Sequence, residues 1–200
     1  MSSLSQTRFL SSVALSRKIR ETAKDSRLRP ISREHKTNFL HAALAAYVAG
    51  WDAYLKQVTK EFVQKIYNPH DVEFASLHSI LEPMTEQKLK KFNTPNWDNS
   101  RDLLISCTGY DPIADWVWRA AQFNRQQSQD FLNQILKVRH SFAHGFSIPT
   151  FQWTQTPSGK VQLNDRSLER VDRFLTHLVI ATDIGLLKHG SHAFPSKTLW

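Results

Sequence analysis

Between about Asn38 and Tyr67 the chain carries large apolar residues at an unbroken helical spacing: Leu40, Leu44, Tyr47, Trp51, Tyr54, Val58 and Phe62. Steps of three and four residues at about 100° per residue put all seven on one helix face. A helix of that length with a single apolar stripe needs cover along its whole length. Other helices supply such cover most readily, so the stripe predicts an all-α chain. Glycine is scarce, 6 in 200 residues, which suits helices better than a turn-rich β fold. Ser32 or Thr37 can cap the helix, Asn68-Pro69 ends it, and Asp52 borders the stripe.

The rest of the chain divides into further helical segments. Residues 7 to 25 form a basic amphipathic helix, with Phe9, Leu10, Val13 and Ile19 inward and Arg17, Lys18, Arg20 and Lys24 outward. Pro30 interrupts the pattern. Residues 71 to 92 suggest two shorter helices divided near Pro83, the second basic through Lys88, Lys90 and Lys91. After the loop Asn93-Thr94-Pro95-Asn96, a helix runs through Leu103 and Leu104 until Gly109-Tyr110-Asp111-Pro112 breaks it. Trp116 and Trp118 read as packing anchors in preference to a nucleobase platform. Another helix runs from about Arg125 to His144.

Phe151 and Trp153, the turn Pro157-Ser158-Gly159, then Val161 and Leu163 give the alternation of a short β-hairpin. Asn164 or Asp165 caps a last helix reaching about Lys188, with Leu168, Val171, Leu175, Leu178 and Thr182 inward and Asp172 and Asp183 at the border. Residues 190 to 200 are expected to be a loose tail. No repeat, low-complexity tract or boundary divides residues 1–200, so a single domain is expected.

The formal net charge of +8 makes a polyanionic partner plausible, against the alternative of a merely basic surface. The one cysteine, Cys107, permits neither an intramolecular disulfide nor a cysteine-based zinc cluster, and its apolar neighbours place it in the interior. A cytoplasmic location is the expectation. No apolar segment approaches the length needed to span a membrane. The first twenty residues, rich in Ser and Arg and free of acids, faintly resemble a transit peptide, but an amphipathic helix is the preferred reading.

The least ordinary stretch is Val138-Arg139-His140-Ser141-Phe142-Ala143-His144-Gly145. Phe131, Leu132, Ile135, Leu136, Val138, Phe142 and Ala143 share one broad apolar arc, and Arg139 falls near its middle. An arginine pointing into apolar surface is costly unless a carboxylate, a ligand or a partner subunit receives it. His140 and His144 lie one turn apart on the edge of the arc, and Gly145 supplies a helix stop. Two histidines four apart could ligate a metal. No glutamate follows His140, however, and no third ligand is spaced nearby, so no metal or other cofactor is expected. The bland alternative makes Arg139 half of a buried ion pair and leaves the histidines as solvated edge residues.

Arg139, four residues, then His144, at the end of an apolar helix and before Gly145, resembles the Arg-x4–6-His signature of HEPN domains, the higher-eukaryote and prokaryote nucleotide-binding family. Trp51-Asp52-Ala53-Tyr54 is similar to the tryptophan–acid–x–tyrosine helix of the ribonuclease LS-like (RiboL-PSP) group of that family. Thr94-Pro95-Asn96 through Gly109-Tyr110-Asp111 and the Trp116/Trp118 segment are also similar to that group, so the resemblance covers roughly residues 35 to 190. It implies an all-α HEPN bundle and, in active members, a dimeric, metal-independent endoribonuclease whose substrate is RNA. Carried over by position, His144 is the general acid/base and Arg139 the phosphate ligand. His140 assists, and Asp52 orients Arg139 or His144, with Asp172 and Asp183 as rivals for that role. The resemblance also implies a toxin–antitoxin or antiviral defence setting, with an antitoxin or sensor protein as partner. Phe146 stands where some HEPN toxins carry an AMP-accepting tyrosine, so that mode of silencing is closed here. Other family members have lost activity, which makes a non-catalytic interaction or nucleotide-binding module the alternative.

Overall fold

The computed structural model describes residues 2–25, 27, 32–68, 70 and 72–200, with the backbone alone at 33, 34 and 72–74. Among the described residues there are six α-helices: α1 Leu4–Thr22, α2 Arg33–Ile66, α3 Val72–Lys91, α4 Trp97–Thr108, α5 Arg125–Ala143 and α6 Asp165–Ala193. Two short 3₁₀ turns, Pro112–Ala114 and Arg119–Ala121, lie between α4 and α5. At 1.5 Å per residue α2 is about 50 Å long, and α1, α3, α4, α5 and α6 all pack against it. The seven residues of its stripe are all buried. Ser32 is the cap: its hydroxyl accepts from the His35 amide at 3.1 Å.

The tryptophans anchor the centre, as expected of Trp116 and Trp118. Trp116 meets Trp51 edge-on at 5.8 Å between centroids and Trp97 at 4.9 Å. A buried indole costs energy unless its N–H is satisfied. Trp51 donates to the Pro95 carbonyl at 3.0 Å, and Trp116 to the Thr182 hydroxyl at 2.8 Å. Cys107 is buried. Gly109 ends α4 at φ +73°, and its N–H returns to the Ile105 carbonyl.

Several expectations need correction. Residues 72–91 form one helix: Pro83 and Ser79, the residue whose carbonyl a proline at 83 cannot bond, both lie on its exposed side. The segment before α6 has no strand pair. The Thr154 hydroxyl accepts from the Phe151 amide and donates to the Pro149 carbonyl, curling 149–154 into a turn. Only an isolated bridge between Gln155 and Val161 remains of the hairpin. The last helix continues past Lys188 to Ala193, and the tail packs back: Leu199 is buried beside Gly190 and Phe62, and the Lys197 ammonium donates to the Tyr67 carbonyl at 2.7 Å. The first helix starts at Leu4, and Arg20 is drawn inward, its Nε 3.3 Å from Asp165. Pro30 and Pro69 lie outside the described residues.

Asp172 and Asp183 do not border the interior; both are inside it. Asp172 accepts from Arg17 Nε at 2.6 Å and Nη2 at 2.9 Å, and from the Tyr47 hydroxyl at 3.2 Å. Burial raises the Asp183 carboxyl above the usual carboxylate range, and donors from Ser3 work against that rise. The Ser3 amide donates to Asp183 at 2.9 Å, and the Ser3 hydroxyl donates as well. Two carboxylates three turns apart on α6 therefore fasten both ends of α1.

α6 also comes close to the loop after α4. A Cβ on Gly185 would stand 1.9 Å from the Tyr110 hydroxyl oxygen and 2.3 Å from its ring. That hydroxyl donates to Asp115 at 2.6 Å, which leaves the ring little room to retreat. Gly185→Ala is expected to cost about 1–3 kcal/mol by overpacking, lowering Tm by several degrees. An unchanged Tm would show that the α6–Tyr110 contact is loose.

Candidate functional site

The motif residues stand at the C-terminal end of α5. Asn124 starts this helix with a full capping box: its side chain accepts from the Gln127 amide, and Gln127 accepts from the Asn124 amide. Ser128, Phe131, Leu132, Ile135, Val138 and Ser141 are buried. The other end is a Schellman motif. The Phe146 amide donates to the Ser141 carbonyl at 2.7 Å and the Gly145 amide to the Phe142 carbonyl at 3.3 Å, with Gly145 at φ +71°. That left-handed residue turns the chain sharply and leaves His144 as the last residue in line with the helix. Phe142 stacks on His41 of α2, with centroids 4.3 Å apart and planes 9° apart, which ties the motif end to the long helix.

The angular reading of the arc holds, but its depth does not. Leu132 and Arg139 are one heptad apart and so lie on nearly the same side of α5. Leu132 is fully buried; Arg139, Ala143 and His144 are exposed. The cover over the helix stops short of its last turn, so Arg139 costs no desolvation in the protomer. Among the described residues no carboxylate pairs with Arg139 or His144. Asp52 binds Lys56 at 2.7 Å, Asp172 binds Arg17, and Asp183 binds Ser3. The expected orienting role is therefore not met by any of the three in the protomer. His140 and His144 do come together, with ring centroids 4.1 Å apart. Among the described residues no group of three or more His, Cys, Asp or Glu side chains is arranged to hold a metal ion.

A groove of about 620 Å³ opens beside His140, between the last turns of α5, the start of α4 and the chain after Gly145. Asn133, Lys137 and His140 line one wall, Asn96 and Asp98 the other, and Phe146 the rim. Phe146 is 64% exposed and its ring stands 6.2 Å from that of His144. Asn133 and Lys137 are not among the residues expected at the site, and Phe146 was expected only as a position that lacks an AMP-accepting tyrosine. The spacing 133, 137, 140, 144 was available as a signal, because it keeps one polar face of the helix in line.

The family model for RiboL-PSP-HEPN matches residues 13–188, most of the chain. The chain belongs to the RiboL-PSP group of HEPN domains. No significant match was found among curated proteins or solved structures. Among the described residues no helix is long and apolar enough to cross a membrane.

His41 makes the motif end sensitive to acid. Burial lowers its pKa, and its Nε2 is buried with no hydrogen-bond partner among the described residues. The unfolded chain thus takes up this proton at a higher pH than the folded one. The stability associated with neutral His41 is present above about pH 6.5 and is lost as pH falls through the lowered folded value. Thermal melts at pH 7.5 and pH 5 are expected to show a larger acid loss for wild type than for His41→Phe, which keeps the stack without the titration. Equal losses would remove His41 from the account.

Proposed function

We propose that this protein is a metal-independent endoribonuclease that cleaves RNA with Arg139 and His144 at a homodimer interface. The observation that carries the reading is the end of α5. It presents an arginine paired with no carboxylate among the described residues beside two touching imidazoles, all exposed on a rigidly capped helix. Membership in a family that includes many ribonucleases supports the same reading.

RNA carries its own nucleophile. A base removes the 2′-hydroxyl proton, the freed oxygen attacks phosphorus, and the bond from phosphorus to the 5′-oxygen breaks. An acid returns a proton to that leaving oxygen, giving a 2′,3′-cyclic phosphate and a 5′-hydroxyl. An imidazole serves either proton transfer near neutral pH. The planar guanidinium of Arg139 holds two phosphate oxygens and offsets the charge that builds on them. His140 lies within one ring contact of His144 and shares or steers the proton. Arg139 and His144 lie roughly 140° apart around the helix at about 100° per residue, so one motif cannot close on a phosphate alone. A second copy packed on the uncovered arc at Arg139 and Ala143 brings two motifs across one cleft. The biological setting that accords with this chemistry is a toxin or antiviral effector in the cytoplasm, restrained by an antitoxin or sensor protein.

The test is purified protein on total RNA, wild type beside two variants. His144→Ala is expected to lower cleavage about 10²- to 10⁴-fold. Arg139→Ala is expected to lower it about 10²- to 10³-fold, with the stability of the protomer unchanged within about 0.5 kcal/mol, because within the protomer the exposed side chain holds nothing in place. Equal cleavage by wild type and His144→Ala would remove the catalytic assignment. No cleavage by wild type would leave a non-catalytic interaction or nucleotide-binding module.

A further inference from the structure

We propose that the groove beside His140 is a nucleobase pocket that holds one unpaired nucleotide of the RNA next to the scissile phosphate, with Phe146 as its stacking face. The inference rests on the ribonuclease reading and adds to it a base-holding pocket built from this chain's own residues. Four observations converge on the pocket. It begins at His140, whose ring touches that of His144, so its occupant lies next to the reacting phosphate. Its rim carries Phe146, an aromatic ring left 64% exposed on a chain path fixed by the Schellman bonds after Gly145. An exposed aromatic face in an aqueous groove suits the π-face of a base. The exposed ammonium of Lys137 sits one turn before His140 on the same wall, where a flanking phosphate would pass.

The fourth observation is the polar lining. Asn133 Oδ1 accepts from the Trp97 amide at 3.3 Å, and Asn96 Oδ1 accepts from the Asn99 amide at 2.8 Å. Both amide groups are thereby oriented with their NH₂ ends available as donors. Asp98 receives the Gln129 amide on Oδ1 at 3.5 Å, which leaves Oδ2 as an acceptor. A donor and an acceptor from Asn96 and Asp98 on one wall, a donor from Asn133 on the facing wall and an aromatic face beside them match the edge and the face of a base. A base within an A-form duplex is stacked and paired, so it cannot present either. Recognition of a splayed base thus selects unpaired RNA.

The test measures binding separately from cleavage. In the His144→Ala background, fluorescence anisotropy follows a dye-labelled single-stranded RNA oligonucleotide and a duplex of the same sequence. Adding Phe146→Ala is expected to weaken single-strand binding on the order of 10-fold or more, while Phe146→Trp keeps parental affinity and duplex binding changes little. Parental single-strand affinity in the Ala variant would overturn the pocket. So would equal loss in the Ala and Trp variants. A shift toward monomer with RNA binding unchanged would assign the ring to the second copy and also overturn it. If wild type fails to cut RNA while the Phe146 pattern holds, the pocket stands and the ribonuclease reading falls. If wild type cuts and the Phe146 pattern is absent, only the pocket falls.

Discussion

The withdrawal from water of one face of α2 governs the placement of everything else. Leu40, Leu44, Tyr47, Trp51, Tyr54, Val58 and Phe62 form a strip longer than any single neighbour can cover. α1, α4, α5 and α6 therefore share it, each burying its own stripe against part of α2. The indoles of Trp51, Trp97 and Trp116 fill the middle of this arrangement, and the N–H groups of Trp51 and Trp116 help set the register by finding partners in Pro95 and Thr182. α5 reaches the site because Phe131, Leu132, Ile135 and Val138 are anchored in that core while its last turn runs past it. The exposed motif is a consequence of how far the cover extends.

Much of this architecture was legible in the residues. The seven-residue stripe, the inward face of α6 and the stop at Gly109 all follow from periodicity and glycine chemistry, and the structure has them where the spacing puts them. What could not be read was set by distant partners. Pro83 breaks a helix only if the carbonyl it orphans lacks water, and the sequence does not show which side faces out. Phe151 and Trp153 alternate like a strand, but the Thr154 hydroxyl diverts the backbone into a turn. Leu199 in the tail has a place because Gly190 leaves one.

The site follows the same division. The closeness of His140 and His144 is a local property of a helix, visible as a spacing of four. The exposure of Arg139 is not local: angle alone sets it beside Leu132, and only the end of the cover separates them. The three candidate carboxylates show the limits of reading charge from sequence. Each has a nearer cation or donor, Lys56 for Asp52, Arg17 for Asp172 and Ser3 for Asp183, and each pair serves the bundle. Arg139 is left for something that arrives from outside the protomer. A chain with a surplus of eight positive charges directs that expectation toward a polyanion.

The central claim is that Arg139 and His144 catalyse attack by the RNA's own 2′-hydroxyl. The chemistry at the cut ends tests it most directly, by mass spectrometry of products from a short RNA incubated with the wild-type protein in EDTA. The account predicts a 2′,3′-cyclic phosphate on one fragment and a 5′-hydroxyl on the other, with no cut where a single 2′-deoxy residue replaces the attacking nucleotide. A 3′-hydroxyl paired with a 5′-phosphate, or cleavage at the 2′-deoxy position, would contradict it.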